Sequence, residues 1–439
     1  MEGGAQRDRF VDRRPRVWGR AAVADGASAD FPLAVRTCWG HAGVVAHVPK
    51  YCADRVTAMS TSPSSPPADP AAPRARPRVV LLYGGRSSEH SISCVSAAAV
   101  LAAIDHSHWD VVAVGITPDG RWLLTSANPD DISRSEEKLP TVTTGDPVAI
   151  VPGSDGARLI GVGTDSIVDH GVVDVVFPLL HGPWGEDGSV QGLLESANIG
   201  YVGSGVLSSA VSMDKAAMKL MLGNHGIPIG PYEVVHDGEW RLGAQRVLAR
   251  LEFALQLPVF VKPARAGSSI GISKVKQWSD LAAAIEVARE HDPKVIVEQG
   301  IEGAEIECGV LGGGRDQPAQ SSALAEITVT QGRDFYDFEA KYLNDAAILT
   351  VPADISESIA VQVRDIAIRS FEALECEGLA RVDFFVQPNG SIVVNEVNTM
   401  PGFTPNSMFP RMWAHSGVSY AALIDRLLQL ALHRDRGLR

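Results

Sequence analysis

Apolar runs of strand length, separated by turn residues, recur along the chain from about residue 78 onward. Residues 79–83 are continuously apolar, Gly84-Gly85 follows as a tight turn, and residues 91–104 carry apolar side chains at helical spacing. Two further apolar runs, at residues 111–116 and 172–180, have the length of buried strands. Because strands and a helix alternate, the pattern predicts an α/β domain with a largely parallel sheet.

The same kind of pattern continues in two more units. We place the domains at residues 78–200, 201–297 and 298–439. In the central unit we predict helices at residues 215–222 and 281–290. We also predict strands there at residues 259–262, 270–275 and 294–298. In the last unit we predict a helix, a hairpin and a terminal helix, at residues 355–375, 380–397 and 420–432.

Residues 1–77 differ in composition from the rest of the chain. Residues 60–77 are dominated by Ser, Pro, Ala and Asp, which predicts a disordered linker because such a segment buries too little apolar surface to fold. The beginning of the chain lacks the pattern of a signal peptide. We hypothesise that Met59 is the native start and that residues 1–58 are a wrongly assigned upstream extension, which N-terminal sequencing of the native protein would test.

Composition narrows the class of protein. The 439 residues are 45% hydrophobic, enough for a large core, and their net charge of −13 argues against a nucleic-acid-binding protein. The apolar runs are too short to span a bilayer, so we predict no membrane association. The cysteines form no CxxC pair, which predicts reduced thiols in a cytoplasmic protein rather than disulfides or a zinc site: Cys38, Cys52, Cys94, Cys308 and Cys376.

A predicted hairpin near the C-terminus carries the most informative polar residues. Asn389-Gly390 lies between two apolar runs, and this dipeptide is a strong signal for a two-residue hairpin loop. In the register that such a loop sets, Asp383 faces Glu396 and Arg381 faces Asn398. Side chains two residues apart on a strand share a face, so these four form one polar patch.

The polar patch predicts a metal site. Two carboxylates that face each other at about 5 Å repel one another, and a divalent cation between them removes the conflict. Carboxylate and amide oxygens suit Mg²⁺, so we predict that Asp383, Glu396 and Asn398 bind it. Arg381 adds a fixed positive charge suited to a phosphate or a developing oxyanion. The alternative is a solvated polar strand face.

A small loop between two predicted strands, residues 263–269, is suited to offering backbone N–H groups to phosphates. It is not a P-loop, because the pattern GxxxxGK[ST] is absent. Lys262 precedes this loop and Lys215 opens a predicted helix, while Glu298 and Glu305 follow an apolar strand. These acidic side chains could accept hydrogen bonds from adenine or ribose. An ordinary hairpin loop and plain surface charges are the alternatives.

Four sequence motifs occur in order between Arg78 and the C-terminus. They are GGRSSE at residues 84–89, HGPWGEDGSVQG at 181–192, EAKY at 339–342 and NEVNTMPG at 395–402. With these motifs the chain resembles the D-alanine–D-alanine ligase family of ATP-grasp enzymes. The resemblance implies an α/β and α+β architecture, in which an N-terminal parallel-sheet domain (pre-ATP-grasp) precedes the ATP-grasp fold. Residues 1–77 have no counterpart in the family.

The resemblance implies a nucleotide site and a metal site. ATP would be held by its phosphates at Lys215, Lys262, Gly267, Ser268 and Ser269, by its base and ribose at Glu298, Gln299, Ile301 and Glu305, and also at Lys341. Two Mg²⁺ ions, for which Mn²⁺ is a possible substitute, would be held by Asp383, Glu396 and Asn398, with Glu396 bridging.

The resemblance also implies where the amino acid substrates bind. The first D-alanine would meet Glu89 through its ammonium and His181 near its carboxylate, and the second would meet Ser407 and the N–H of Met408. The catalytic residues on this interpretation are Glu89, Ser268, Tyr342, Arg381 and Gly402. A lid is expected at residues 331–349, which carry Tyr342.

The implied reaction is the ATP-dependent joining of two D-alanine molecules through D-alanyl phosphate, with release of ADP and phosphate, for peptidoglycan precursor synthesis. The family is usually a homodimer through its N-terminal domain. One alternative is a related ligase that forms D-alanyl-D-lactate or D-alanyl-D-serine, although Lys341-Tyr342 favours the dipeptide maker. Another is a non-catalytic nucleotide-binding protein, which the complete set Arg381, Asp383, Glu396 and Asn398 disfavours.

Overall fold

Three β-sheets with flanking helices make up the part of the chain that the computed structural model describes, which is residues 76–132, 139–163, 166–314, 317–329 and 347–435. The first sheet has eight strands, the second four and the third five. Each sheet is built from one continuous stretch of the sequence, so three units follow one another along the chain. The domain boundaries given above remain predictions.

A parallel group of four strands forms the centre of the first sheet. Strand β1 (Arg78–Gly84), which is fully buried from Val79 to Leu82, pairs in parallel with β2 (Asp110–Ile116) and β7 (Val175–Leu179). Strand β7 pairs in parallel with β8 (Gly200–Tyr201). Helices accompany these strands at α1 (His90–Ala103), α2 (Pro129–Ile132) and α3 (Ser189–Ser196). The predicted parallel α/β arrangement is confirmed for these strands.

Four antiparallel strands extend the same sheet beyond β2. They are β3 (Trp122–Leu124), β4 (Asp146–Val151), β5 (Arg158–Val162) and β6 (Ile167–Val172). The sequence pattern does not predict them, because they are short or largely exposed and none carries an apolar run of more than four residues. Ile167, for example, is 79% exposed.

The second sheet is antiparallel, with strand order β11-β10-β12-β9. Its strands are β9 (Tyr232–His236), β10 (Val259–Pro263), β11 (Ser273–Val275) and β12 (Lys294–Gln299). The helices of this region are α4 (Val206–Met213), α5 (Lys215–Asn224), α6 (Asp237–Ala254) and α7 (Leu281–Arg289). Val261 and Val297 pack into a core with α6 and α7, so the alternation along β10 and β12 turns Lys262 and Glu298 to the opposite face.

The third sheet is also antiparallel, with strand order β15-β14-β13-β16-β17. Its strands are β13 (Ala304–Leu311), β14 (Gln320–Val329), β15 (Ala347–Thr350), β16 (Leu379–Val386) and β17 (Ile392–Asn398). Three helices follow in this unit, α8 (Glu357–Ala373), α9 (Met408–His415) and α10 (Tyr420–Leu432). The last two share a hydrophobic core with the first sheet, where the rings of Phe177 and Phe403 pack edge to face with centroids 5.5 Å apart.

The hairpin of β16 and β17 has the predicted facing pairs but not the predicted loop. The two-residue loop is wrong: Gly390 donates to the carbonyl of Gln387 and Gln387 donates to that of Ser391, which encloses a three-residue loop at 388–390. This longer loop shifts the register by one residue. A β-bulge then restores it, because Phe384 pairs with Val394 while Asp383 pairs with Glu396, leaving residue 395 as the extra one.

Several predictions fall on residues outside the described ranges. These are the disordered linker and upstream extension, up to residue 75, and the lid, of which only residues 347–349 are described, as part of β15. No helix in the described ranges combines the length and the hydropathy needed to cross a bilayer.

The contact between the first and third units leaves no room for a side chain at Gly378. This residue has a φ of +69°, its carbonyl accepts from Gly312, and a Cβ added to it would lie 2.9 Å from the backbone nitrogen of Gly203. Two backbones therefore cross here, and neither can move aside as a flexible side chain would.

We expect Gly378→Ala to lower the free energy of unfolding by about 2–4 kcal/mol, because the positive φ and the backbone clash add. Gly226→Ala is the matched control: its φ is also +69°, but a Cβ there meets nothing within 4 Å, so only the first cost of about 1 kcal/mol applies. Chemical denaturation of both variants measures the difference. Equal losses would contradict the proposed crossing.

Candidate active site

One large cavity, of about 980 Å³, gathers the predicted site residues from all three sheets. Every predicted site residue that lies in the described ranges lines it: Glu89, His181, Lys215, Lys262, Gly267, Ser268, Ser269, Glu298, Gln299, Ile301, Glu305, Arg381, Asp383, Glu396, Asn398, Gly402, Ser407 and Met408. Tyr342 and Lys341 lie outside the described residues. The roles given to these residues above stay predictions, but their convergence on one cavity is observed.

Glu298 lies between two lysines on the cavity face of the second sheet. Its Oε1 is 2.9 Å from Nζ of Lys219, and its Oε2 accepts from Nζ of Lys262. Burial alone would raise the pKa of Glu298, but the charges of Lys219 and Lys262 outweigh it and lower the pKa to about 2. Glu298 is therefore a carboxylate at any physiological pH.

Lys215 stands at the first position of α5 because Asp214 caps that helix. Oδ1 of Asp214 accepts from the backbone nitrogens of Ala216 and Ala217 at 3.1 and 3.0 Å, and Lys294 pairs with the same carboxylate at 2.8 Å. Nζ of Lys215 donates to the carbonyl of Ala266 at 2.7 Å, so it is hydrogen-bonded to the predicted phosphate loop.

The phosphate loop is held in an uncommon backbone conformation next to Glu89. Ser268 and Ser269 have φ values of 48° and 60°, in the left-handed region that non-glycine residues seldom adopt. The hydroxyl of Ser268 donates to Glu89 Oε1. A Cβ at Gly267 would lie 2.9 Å from Glu89 Oε2, so glycine permits this close approach. Ser268 and Glu89, which the resemblance names as catalytic residues, are thus joined by a hydrogen bond in the structure.

Two side chains of the 181–192 motif hold the main chain of Met400. Nδ1 of His181 lies 3.1 Å from the carbonyl of Met400, and Oε2 of Glu186 accepts from its N–H at 3.2 Å. Gly182 N–H donates to the other Glu186 oxygen at 2.7 Å. The first unit therefore positions the peptide two residues before Gly402. The sequence analysis assigns no role to Glu186.

Burial shifts the pKa values of both His181 and Glu186 towards the neutral form. Burial lowers the pKa of His181, although the nearby charge of Glu89 opposes the change, so the imidazole is neutral at pH 7. Burial also raises the pKa of Glu186 to about 8, and the charge of Glu89 adds to that effect. The two groups therefore add little net charge to this end of the cavity.

Arg381 forms a two-point ion pair with Asp383 at the predicted metal site. Its Nε and Nη2 each lie 2.7 Å from one oxygen of Asp383, and Nε is also 3.2 Å from Glu307. Burial lowers the pKa of Arg381, but the charges of Asp383 and Glu307 outweigh it and hold the pKa well above its usual value. Asn398 donates to Asp383 at 3.0 Å. The four predicted patch residues thus lie together. Glu307, which contacts Arg381, is a fifth member of this cluster.

The donor set at this patch fits Mg²⁺. Asp383 and Glu396 face each other in register on the cavity wall, and Asn398 adds an amide. Within the described ranges, no group of three or more His, Cys, Asp or Glu side chains is arranged so that it could hold a metal ion. Two carboxylates and an amide are an open set, which suits Mg²⁺ because that ion typically keeps few protein ligands beside substrate phosphates.

The N-terminus of α9 faces the cavity beside Gly402. Ser407 is the residue before the helix, its hydroxyl lies 2.8 Å from that of Thr404, and its own side chain makes no capping bond. The first backbone N–H groups of α9, beginning with Met408, are therefore left for a ligand. Such a helix end favours an anion such as a carboxylate.

The end of the cavity around Gln299 has apolar side chains in its lining. Oε1 of Gln299 accepts from the backbone nitrogen of Gln256 at 3.1 Å, and both residues line the cavity. Ile301 and Phe260 line the cavity nearby, and Gly300 permits the close approach of the Pro258 carbonyl, which would lie 2.9 Å from a Cβ added there. Glu305 completes this end, which has the apolar surface and carboxylates that a purine nucleoside needs.

Two family models match the chain. The one described as "D-ala D-ala ligase N-terminus" matches residues 78–204, and "D-ala D-ala ligase C-terminus" matches residues 221–429. The chain belongs to the D-alanine–D-alanine ligase family. Membership in this family of ligases implies that ATP is used, and the three sheets with their helices have the ATP-grasp architecture.

Relatives and solved structures of this ligase family agree over most of the chain. The D-alanine–D-alanine ligase of Kineococcus radiotolerans is 52% identical over 373 residues, which cover 83% of this chain and 99% of the relative. That of Arthrobacter sp. is 50% identical over 369 residues, covering 83% and 96%.

Among structures, the VanG D-Ala:D-Ser ligase from Enterococcus faecalis has a TM-score of 0.68 at 34% identity, covering 81% of this chain and 99% of that one. The D-alanine-D-alanine ligase from Coxiella burnetii has a TM-score of 0.67, also at 34%, covering 82% and 94%.

The lowered pKa of Glu298 predicts a pH-dependent contribution to stability. The folded pKa of about 2 lies below that of an unfolded glutamate, so the stabilisation is complete above about pH 5 and is lost as the pH falls towards 2. In urea denaturation, the free-energy difference between wild type and Glu298→Gln should shrink by about 3 kcal/mol over that range. The exposed Glu252→Gln is the control; a similar change in that variant would contradict the assignment.

Proposed function

We propose that this cavity joins two D-alanine molecules through D-alanyl phosphate, with release of ADP and phosphate, in peptidoglycan precursor synthesis. The observation that carries the proposal is that Glu89, the 267–269 loop, Arg381 and the helix α9 N-terminus all face one cavity. In this proposal Glu89 is the ammonium site, the 267–269 loop the phosphate site, Arg381 the oxyanion site and the N-terminus of α9 the carboxylate site.

Phosphoryl transfer requires positive charge around the transferred group, with little covalent work for the protein. Lys262 and the backbone N–H groups of the 267–269 loop would receive the phosphates, and Lys215 donates to the carbonyl of Ala266, directly before that loop. Burial lowers the pKa of Lys262, but the carboxylate of Glu298 outweighs it and raises the pKa, so this lysine stays charged. Glu298 and Glu305 are placed to accept from the base and the ribose.

Asp383, Glu396 and Asn398 would hold the Mg²⁺, with Mn²⁺ as a possible substitute. When bound, the ion would supply positive charge that neutralises the phosphates. The chain prepares the site by facing the two carboxylates across the hairpin and by setting Arg381 beside them. Because Arg381 already neutralises Asp383, the repulsion between Asp383 and Glu396 is reduced before any cation arrives.

The first D-alanine would bind between the first sheet and the phosphate loop. Glu89 offers a carboxylate to its ammonium and is itself oriented by Ser268. His181, being neutral, presents an imidazole near the substrate carboxylate without adding a full charge. The carboxylate is then aimed at the phosphate end of the cavity, which is the requirement for forming an acyl phosphate.

The second D-alanine would bind at the N-terminus of α9, with its carboxylate at Ser407 and the N–H of Met408. Attack of its amine on the acyl phosphate creates a tetrahedral oxyanion, which Arg381 and the N–H of Gly402 are placed to stabilise. His181 and Glu186 hold the Met400 peptide and so fix the direction of this loop. Cytoplasmic location and a homodimer remain part of the proposal.

A second candidate is a ligase that uses D-serine at the second position. It is favoured by the likeness to the D-Ala:D-Ser ligase structure. The relatives at 50% identity or more are named D-alanine–D-alanine ligases, which favours the dipeptide of D-alanine. The Lys341-Tyr342 pair, which would bear on this choice, lies outside the described residues.

An ATP-dependent phosphate-release assay with purified protein tests the proposal. We expect phosphate release with D-alanine at a rate at least tenfold higher than with L-alanine alone, and D-alanyl-D-alanine as the product identified by mass spectrometry. Mixed assays of D-alanine with D-serine or D-lactate test the second position. Preference for D-lactate or D-serine at neutral pH would replace the dipeptide assignment.

Replacing one proposed metal ligand tests whether the protein can lose its activity and still fold. Asp383→Ala should lose at least 100-fold in kcat, because Mg²⁺ loses a carboxylate and Arg381 loses its main partner. The matched control is Asp365→Ala, an exposed aspartate on α8 that pairs only loosely with Arg369 at 3.5 Å. Circular dichroism checks that both variants fold. Full activity in Asp383→Ala would refute the metal site.

A further inference from the structure

Lys219 is a buried lysine to which neither the sequence motifs nor the proposed mechanism assigns a role. It lies one helical turn after Lys215 on α5, and it is only 3% exposed. A lysine so far from water loses most of its hydration, so its ammonium must be balanced by carboxylate or carbonyl oxygens. Its partners therefore indicate why a charge is placed there.

The two partners of Lys219 belong to different sheets. Nζ is 2.9 Å from Oε1 of Glu298 on β12, in the second sheet. It also donates to the carbonyl of Asn395 at 3.3 Å, in the third sheet. Asn395 is the extra residue of the β-bulge in β17. One ammonium therefore joins the proposed base-binding carboxylate to the bulge.

The bulge controls where Glu396 points. Without the extra residue at 395, the strand beyond it would shift by one position and Glu396 would turn to the other face. A second contact holds the same stretch, because Val394 donates to the carbonyl of Pro228, in the segment that follows α5. Helix α5 and its following segment thus support the strand that presents a proposed metal ligand.

Lys262 binds the other oxygen of Glu298, but its position differs from that of Lys219. Its side chain is 14% exposed, against 4% for Lys219, and it stands beside the phosphate loop. If Lys262 turns to the phosphates of ATP, Glu298 loses one of two counter-charges. Lys219 then remains to balance the carboxylate while it accepts from the nucleoside.

We propose that Lys219 is a positioning residue that holds Glu298 and the Asn395 bulge together, so that the nucleoside end and the metal end of ATP are bound at a fixed separation. The inference rests on the proposed function, since it assumes that ATP occupies this cavity. Lys219 is the permanent partner of Glu298, and Lys262 is the partner that exchanges to phosphate. A purely structural ion pair would instead stabilise the fold without affecting one substrate more than another.

The test compares Lys219→Met with wild type and with Lys276→Met, an exposed lysine that does not line the cavity. Calorimetry measures ATP binding in the presence of Mg²⁺, and steady-state kinetics gives KM for ATP and for D-alanine separately. We expect Lys219→Met to weaken ATP binding and raise its KM at least tenfold, with KM for D-alanine within twofold of wild type. Lys219→Arg, which keeps the charge, should recover most of the loss, and Lys276→Met should match wild type.

ATP binding by Lys219→Met within twofold of wild type would overturn the inference, as would equal losses for ATP and D-alanine. If Lys219→Met does not fold, Lys219→Gln, which is neutral but still donates hydrogen bonds, is measured by the same criteria. The two proposals fail differently. Wild type that does not bind ATP would refute the proposed function, whereas normal binding in both proteins would refute only the role of Lys219.

Discussion

Buried opposite charges that hold one another in place are the constraint on which the cavity depends. Glu298 lies between Lys219 and Lys262, and Arg381 lies between Asp383 and Glu307. Removing one member of such a set leaves another charged and buried, which costs several kcal/mol. The partners of a charged ligand are therefore already in position. When the ligand binds, these buried side chains replace one charged partner by another, and no exposed side chain has to be ordered.

The fold followed from the sequence where burial leaves a clear pattern. The parallel strands β1, β2 and β7, the helices α5 and α7, and the helix α10 were predictable from apolar runs and helical spacing. The four antiparallel strands β3–β6 were not, because their apolar runs extend over four residues or fewer and several of their side chains are exposed. In the 388–390 loop, Asn389-Gly390 signals a tight turn, but only Gly390 adopts a positive φ, which gives the three-residue form.

The site was predictable where chemistry demands a residue type at a set spacing. Asp383 and Glu396 are recognisable because two facing carboxylates are unfavourable without a cation. Most other site residues came from the resemblance to the ligase family. Lys219 and Glu307 escaped both routes, since their partners lie far away in sequence and nothing local distinguishes them from surface charges. Glu186 was missed as well. Glu186 did stand inside a quoted motif, so that motif could have drawn attention to it.

The three-residue loop and the bulge in the hairpin are two departures of one residue each that cancel. Side chains along a strand alternate between faces, so a single insertion or deletion inverts every position beyond it. An added residue at the loop is harmless only when the strand absorbs another before it reaches Glu396. An insertion or deletion of one residue in this hairpin is therefore tolerated only together with a second one. The number of residues between Asp383 and Glu396 must stay even, because only then do both side chains remain on the same face.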